Sequence, residues 1–212
     1  MTEYLTEQEQ IELLKQWIKQ YSLVILAGLA ISLIAITGWR YWQARQERIL
    51  YHASSVYDEM LTARVQSDAE AVKVQSSKLF SHYTGTAYAQ MAAFMLARDA
   101  INQKNYTVAE KQLNWVIKNS KTSPLRQVAR IRLARVYINE KKADESLAVL
   151  KTVDDKSFIG LIDEIRGDAE LAKNNNTKAR EAYQLALNEI PNAEVTRPIL
   201  QMKFDNLAPS AA

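Results

Sequence analysis

The sequence contains no cysteine and only two histidines, His52 and His82, in 212 residues. Zinc fingers, thiol catalysis and iron–sulfur clusters are therefore excluded, and a histidine-rich metal site is not expected. Glycine and proline are also scarce, with 5 and 4 residues, whereas β-sandwiches and barrels need many tight turns. The net charge of +3 is too small to indicate a nucleic-acid partner. We expect an all-α protein, because good helix formers dominate the composition.

One long segment has no charged side chain: the 20 residues 20–39, QYSLVILAGLAISLIAITGW. A helix of that length spans about 30 Å, which is the thickness of the hydrocarbon core of a bilayer. Aromatic residues that are typical of the membrane interface lie at its two boundaries: Trp17, Tyr21, Trp39, Tyr41 and Trp42. The segment therefore predicts a single transmembrane helix that anchors the chain in a lipid bilayer.

Two other interpretations of this segment are weaker. A core helix of a small domain would rarely stay uncharged over so many residues. A cleaved signal peptide would need a basic amino-terminal region and a small-residue cleavage site. Residues 1–19 instead carry four glutamates against two lysines, and the run ends in Trp39-Arg40-Tyr41-Trp42. The two cations before the span and the three after it do not decide its orientation, and lean only slightly toward a cytoplasmic carboxyl end.

Three stretches of the remaining chain align with one another at successive spacings of 37 and 33 residues. Each has a small residue in a first helix, a second small residue 12 positions later, and a large residue four positions after that. The three sets are Ala97, Ala109 and Leu113; Ala134, Ser146 and Leu150; and Gly167, Ala179 and Tyr183. Small residues let two antiparallel helices cross closely, and the period is that of stacked helix-turn-helix units.

This pattern resembles the tetratricopeptide repeat, most closely in the third unit. It predicts a helical-hairpin solenoid that follows the transmembrane helix. The chain then divides into five segments: a cytoplasmic tail (1–19), the transmembrane helix (20–39), a membrane-proximal helix pair (40–85), the tetratricopeptide-like repeats (86–195), and a carboxyl-terminal capping helix with its tail (196–212).

Residues that favour helix caps predict where three helices begin. The stretch Ser67-Asp68-Ala69-Glu70 is expected to cap the second helix of the membrane-proximal pair. Thr107 and Glu110 fit a capping box, and Ser123 precedes Pro124, which suits the first turn of a helix.

Over nearly its full length, the chain resembles the YfgM family of bacterial inner-membrane proteins, which are ancillary subunits of the SecYEG translocon. The resemblance is most specific in the Gly38-Trp39-Arg40-Tyr41-Trp42 exit of the span and in the QMKFDNL ending, residues 201–207. It implies a single-pass inner-membrane protein with its amino terminus in the cytoplasm and its repeats in the periplasm. It also implies partnership with SecYEG and with the membrane-anchored periplasmic chaperone PpiD, and a role in handing newly translocated proteins to periplasmic chaperones.

The sequence contains no sign of catalysis. Motifs for phosphate binding, dinucleotide binding, zinc proteases and serine hydrolases are all missing, so we expect neither an enzyme nor a cofactor. Two alternatives stay open beside the translocon scaffold. One is a tetratricopeptide adaptor in envelope assembly or cell division, and the other is an enzyme with an unrecognised site.

The repeat register also predicts a partner-binding groove. The first helix of each unit lines the concave face of tetratricopeptide superhelices, and the register places a set of candidate residues there: Phe94, Met95, Arg98, Asn102, Arg132, Arg135 and Asn139. Arg98 and Asn102 share a helix face because they are four residues apart, and Arg135 and Asn139 repeat this pair. Such a strip suits an extended segment that carries carboxylates. The alternative is a solvated helix face that keeps the domain soluble.

Overall fold

The computed structural model describes residues 7–153, 155–189 and 196–207, and all regular structure in these ranges is helical. The α-helices are α1 (Glu7–Val65), α2 (Ala69–His82), α3 (Ala87–Asn102), α4 (Tyr106–Asn119), α5 (Ser123–Asn139), α6 (Ala143–Leu150), α7 (Ile159–Ala172), α8 (Asn176–Glu189) and α9 (Thr196–Asp205). A short 3-10 turn, Lys156–Phe158, leads into α7. The predicted all-α class is confirmed.

The chain divides into two compact units, Met1–His52 and Ala53–Ala212. In the first unit, α1 presents apolar side chains to the outside along most of its length: Leu23, Val24, Leu26, Leu29, Ile31, Leu33, Ile34 and Ile36 are all more than half exposed. Among the described residues no single helix is both long and apolar enough to cross a bilayer. The two segments Gln10–Val24 and Leu26–Val65 meet that condition together, with a bend of 48° between them.

The bend falls inside the charge-free run, so the predicted single transmembrane helix over residues 20–39 is not confirmed. Ser22 lies close to the bend, and its Oγ donates to the carbonyl oxygen of Lys19 over 3.1 Å. The sequence run shows only that the residues are apolar, and composition alone does not define the path of the backbone.

The second unit is built from helical hairpins that stack in chain order. The pairs α3/α4, α5/α6 and α7/α8 are the predicted repeats, and α4 packs on α5 as α6 packs on α7. Helix α5 also contacts α3 and α7, so the first helices of the repeats lie side by side. Helix α9 packs on α8 and covers the end of the stack, as solenoids require.

The small and large residues of the repeat register occupy the helix crossings. All members of the three sets other than Gly167 are side chains less than 4% exposed. Gly167 lies directly under the ring of Tyr183, and a Cβ atom added at this glycine would overlap that ring. The aligned spacing in the sequence thus corresponds to close helix–helix contact.

The turns within the hairpins repeat one geometry. Lys104, Lys141 and Asn174 each adopt a left-handed conformation, with φ of 58°, 62° and 61°, between the two helices of a repeat. In every case the next residue donates its backbone N–H to a carbonyl in the last turn of the first helix, as in a Schellman motif. Ser67, with φ of 60°, makes the same turn between α1 and α2.

The end of α1 and α2 therefore form a fourth hairpin of the same kind, which precedes the three predicted repeats. Ser67 lies 37 residues before Lys104, so the register continues upstream. The positions equivalent to Ala97 and Leu113 are Met60 and Ser76, and both are buried. The sequence predicted a helix pair in this region but not that it follows the repeat register, because its large and small residues are exchanged.

Two of the three predicted helix starts are wrong by one or two residues. Within the predicted stretch 67–70, Asp68 is the residue that caps α2, since its side chain accepts a hydrogen bond from the N–H of Ala71. Helix α4 begins at Tyr106 and is capped by Asn105, because the Schellman turn ends there and leaves Thr107 inside the helix. Helix α5 includes Ser123, and its N-cap Thr122 makes no side-chain capping bond.

Candidate partner-binding groove

The groove residues with charge lie on neighbouring first helices of the repeats. Arg98 is on α3, and Arg132 and Arg135 are on α5. The guanidinium of Arg132 reaches across to α3 and stands 4.6 Å from the centre of the Phe94 ring, a distance typical of a cation–π contact. The structure thus brings Phe94 and the three arginines together, and we call these four residues the arginine cluster.

The arginines of this cluster act on one another electrostatically. Burial lowers the pKa of Arg132, and the positive charges of Arg135 and Arg98 lower it further. The Asp99 carboxylate is 3.9 Å from Arg98, but it accepts two hydrogen bonds from Arg64, of 2.8 and 2.7 Å. The bond from Arg64 holds the pKa of Asp99 below its ordinary value. Asp99 is therefore paired mainly with Arg64.

The carboxylates at the other end of the groove are held by the carboxyl-terminal helix. Lys203 of α9 donates to Glu164 at 2.8 Å and to both oxygens of Asp168 at 2.8 and 2.9 Å. Tyr183 also donates its hydroxyl to Asp168 at 2.8 Å. Burial lowers the pKa of Lys203, but its bonds to the two carboxylates outweigh burial and raise the pKa overall. We call Lys203, Glu164 and Asp168 the carboxyl-terminal lock.

Sequence reasoning did not assign Lys203 a functional role. Its partners Glu164 and Asp168 precede it by 39 and 35 residues, and no local pattern links positions that far apart. The one feature of the sequence that could have drawn attention to Lys203 is its position in the QMKFDNL ending, residues 201–207. Two neighbours in that ending are also packed: Phe204 lies under the Arg180 guanidinium at 3.8 Å, and Leu207 contacts the cluster around Tyr183.

Asn102 and Asn139 lie one turn beyond Arg98 and Arg135 on the same helices, whereas Met95 points in another direction. Asn102 and Asn139 are the last residues of α3 and α5, and both are exposed. Met95 is half-buried and packs against the core cluster that contains Met60 and Leu79. One residue along a helix turns a side chain by about 100°, so Met95 does not share the direction of Phe94.

The residues predicted at the boundaries of the membrane anchor are exposed, and four of them form two aromatic pairs. Trp17 and Tyr21 have ring centres 5.4 Å apart, and so do Trp39 and Trp42. Tyr41 is also exposed. Each pair is spaced by one helical turn along α1.

The described part of the chain contains no group of three or more histidine, cysteine, aspartate or glutamate side chains that could hold a metal ion. His52 and His82 are exposed on α1 and α2.

A half-buried tyrosine makes the stability of the repeats depend on alkaline pH. The Tyr137 hydroxyl of α5 donates to Glu110 of α4 at 2.9 Å. Burial and this bond raise the pKa of Tyr137 from 10.0 to about 12. A raised pKa of an acid favours its neutral form in the folded state. The resulting stabilisation is complete below pH 10 and is lost as the pH rises to about 12.

We expect Tyr137→Phe to reduce the loss of stability over that pH range, because the phenylalanine cannot ionise. The measurement is the free energy of unfolding by urea, followed by circular dichroism at several pH values. The same substitution at the exposed Tyr51 serves as the control for the loss of a tyrosine hydroxyl. If the free energy of unfolding fell equally with pH in the wild type and in Tyr137→Phe, the loss of stability could not be assigned to ionisation of Tyr137.

Stacked hairpins with small residues at each crossing define the class of the protein as a tetratricopeptide-like helical-repeat protein. The chain matches the family model described as "Tetratricopeptide repeat-like domain" over residues 15–209. No solved structure gives a significant match.

Curated relatives match at nearly full length. A Neisseria gonorrhoeae protein named "Ancillary SecYEG translocon subunit" is 30% identical over 208 residues, which are 98% of this chain and all of the relative. Proteins of the same name from Haemophilus influenzae and Escherichia coli are 27% and 26% identical and cover 95% and 97% of this chain, and 97% and 98% of their own lengths. The chain belongs to this family, the YfgM family of ancillary SecYEG translocon subunits.

Proposed function

We propose that the protein is a non-enzymatic, membrane-anchored scaffold that associates with the SecYEG translocon and links newly translocated proteins to periplasmic chaperones. The observation that carries this proposal is the extent of the similarity. The matches to proteins named as translocon subunits include the amino-terminal segment as well as the repeats, since they cover 95–98% of this chain. The tetratricopeptide-like repeats supply a surface of the kind that binds other proteins.

The outward-facing apolar side chains of α1 support a membrane anchor. They occupy the part of the helix that lies between the two aromatic pairs, where a bilayer would cover them. We propose a single pass through the bacterial inner membrane, with the amino terminus in the cytoplasm and the repeats in the periplasm.

The absence of cysteine allows a clean test of this topology. We expect a cysteine at Thr2 to resist a membrane-impermeant thiol reagent in spheroplasts, and a cysteine at Ser210 to react. Both positions lie outside the described residues. After the cells are lysed both cysteines should react, which controls for local accessibility. Labelling of the Thr2→Cys variant alone would indicate the opposite topology and would exclude a periplasmic function of the repeats.

Purification of the native membrane complex tests which proteins the chain binds. The tagged full-length protein, solubilised in mild detergent, should co-purify with SecYEG and with the chaperone PpiD. Site-specific crosslinking from Trp39 and Trp42 in intact membranes provides a second check that does not depend on detergent. Recovery of septal or outer-membrane assembly proteins in place of translocon subunits would contradict the proposal and favour an adaptor in envelope assembly.

A further inference from the structure

The arginine cluster has more positive charge than its surroundings neutralise. No carboxylate of the described residues lies within 4.0 Å of Arg132. Arg98 and Arg135 approach one carboxylate each, at 3.9 and 4.0 Å. Those two carboxylates, Asp99 and Glu164, make shorter bonds to Arg64 and Lys203. The cluster therefore has the charge and the open donors of an anion site.

The guanidinium groups are accessible to a ligand. The Arg98 and Arg135 side chains are 63% and 50% exposed, and the Phe94 ring holds Arg132 through the cation–π contact. A guanidinium presents a planar set of donors that can bind a carboxylate through two parallel bonds. Three of them on two adjacent helices suit several carboxylates that follow one another along a chain.

We propose that the arginine cluster binds an acidic, extended segment of a partner protein, and that the carboxyl-terminal lock keeps this site basic because Lys203 pairs with Glu164 and Asp168 and so offsets their charge. The proposal rests on the proposed scaffold function and names the chemistry of its partner segment. The small net charge of +3 gives no support to a nucleic-acid partner, which would need a larger basic surface. A protein segment can place its acidic residues over the arginines and neutral ones over α7.

The direct test is binding of a fluorescent decaglutamate peptide to the full-length protein in detergent, measured by anisotropy. We expect binding that weakens with added salt, and an affinity roughly tenfold or more lower in the variant Arg98→Ala/Arg132→Ala/Arg135→Ala. The matched control, Lys111→Ala/Lys118→Ala/Lys178→Ala, removes the same charge from exposed positions on α4 and α8. Its affinity should stay close to that of the wild type.

A gain of affinity separates this site from a general loss of structure. Glu164→Gln removes the carboxylate nearest to Arg135 and preserves side-chain size, so decaglutamate should bind about two- to fivefold more tightly. A variant with damaged folding would not improve. Weaker binding by Glu164→Gln, or equal affinities of the two triple variants, would overturn the proposal.

Two further outcomes are decisive. Decaglutamine should not bind, and equal binding of decaglutamine and decaglutamate would show that charge is not recognised. If an oligothymidylate of the same length bound as tightly as decaglutamate, and the triple arginine variant no longer bound it, the site would be assigned to a nucleic acid and the proposal would be overturned. Co-purification of SecYEG with the wild-type protein is a separate measurement. If SecYEG does not co-purify, the scaffold function is contradicted. If SecYEG co-purifies but decaglutamate does not bind, only this inference is contradicted.

Discussion

The variant Gly167→Ala is expected to destabilise the repeat unit by about 2 kcal/mol. The added Cβ would overlap the Tyr183 ring, whose Cζ atom lies 3.0 Å away and whose Cε1 and Cδ1 atoms lie closer. Tyr183 is fully buried, so the ring has no free space to move into. Overpacking of this kind costs about 1–3 kcal/mol, and this contact belongs at the upper end. The better helix propensity of alanine offsets up to about 1 kcal/mol.

The measurement is thermal unfolding followed by circular dichroism, in which we expect the melting temperature to fall by roughly 4–8 °C. Gly38→Ala is the control, because a Cβ at Gly38 meets no atom within 4 Å. Combining Gly167→Ala with Tyr183→Leu should cost less than the sum of the two single changes, since the smaller side chain makes room for the methyl group. Additive losses would mean that the two positions do not touch.

The variant Leu113→Ala is expected to have the larger effect, a loss of about 2–5 kcal/mol. Leu113 is fully buried in a cluster formed by α3, α4 and α5, with Ala97, Ala109, Leu133 and Val136 around it. These neighbours belong to helices on both sides of α4, so the gap left by the leucine cannot close without separating a hairpin from the next one. The cost therefore includes lost hydrophobic transfer and an unfilled cavity.

The expected drop in melting temperature for Leu113→Ala is roughly 5–15 °C. Leu171→Ala provides the same change on α7 at a side chain that is 40% exposed, and it should cost less than about 1 kcal/mol. A loss at Leu113 no greater than that at Leu171 would show that the register of the first repeat is wrong.

Local spacing was enough to predict the crossings of the repeats. Ala97, Ala109 and Leu113 stand at fixed distances along the chain because two helices of fixed geometry must meet there, and the same distances recur around Gly167. The hairpin that precedes the three repeats could not be predicted in this way. Met60 and Ser76 fill the same crossing with the large residue on the first helix, so the packing is preserved while the sequence pattern is lost.

The groove stays a prediction. The register placed Arg98 and Arg135 on equivalent turns of neighbouring helices, and in the structure Arg132 contacts Phe94 across these helices. The repeat register did not identify which carboxylates remain free to neutralise these arginines. That depends on Lys203, whose position is fixed by the packing of α9 rather than by any repeat.

The helical class, the apolar character of the amino-terminal segment and the period of the repeats could all be predicted before the structure was known. These follow from composition and from spacings of a few residues, which act within one helix or one hairpin. The repeat register of the fourth hairpin and the pairing of Glu164 and Asp168 with Lys203 became visible in the folded chain alone. Contacts between distant segments depend on which helix faces meet, and the local order of residues does not encode that.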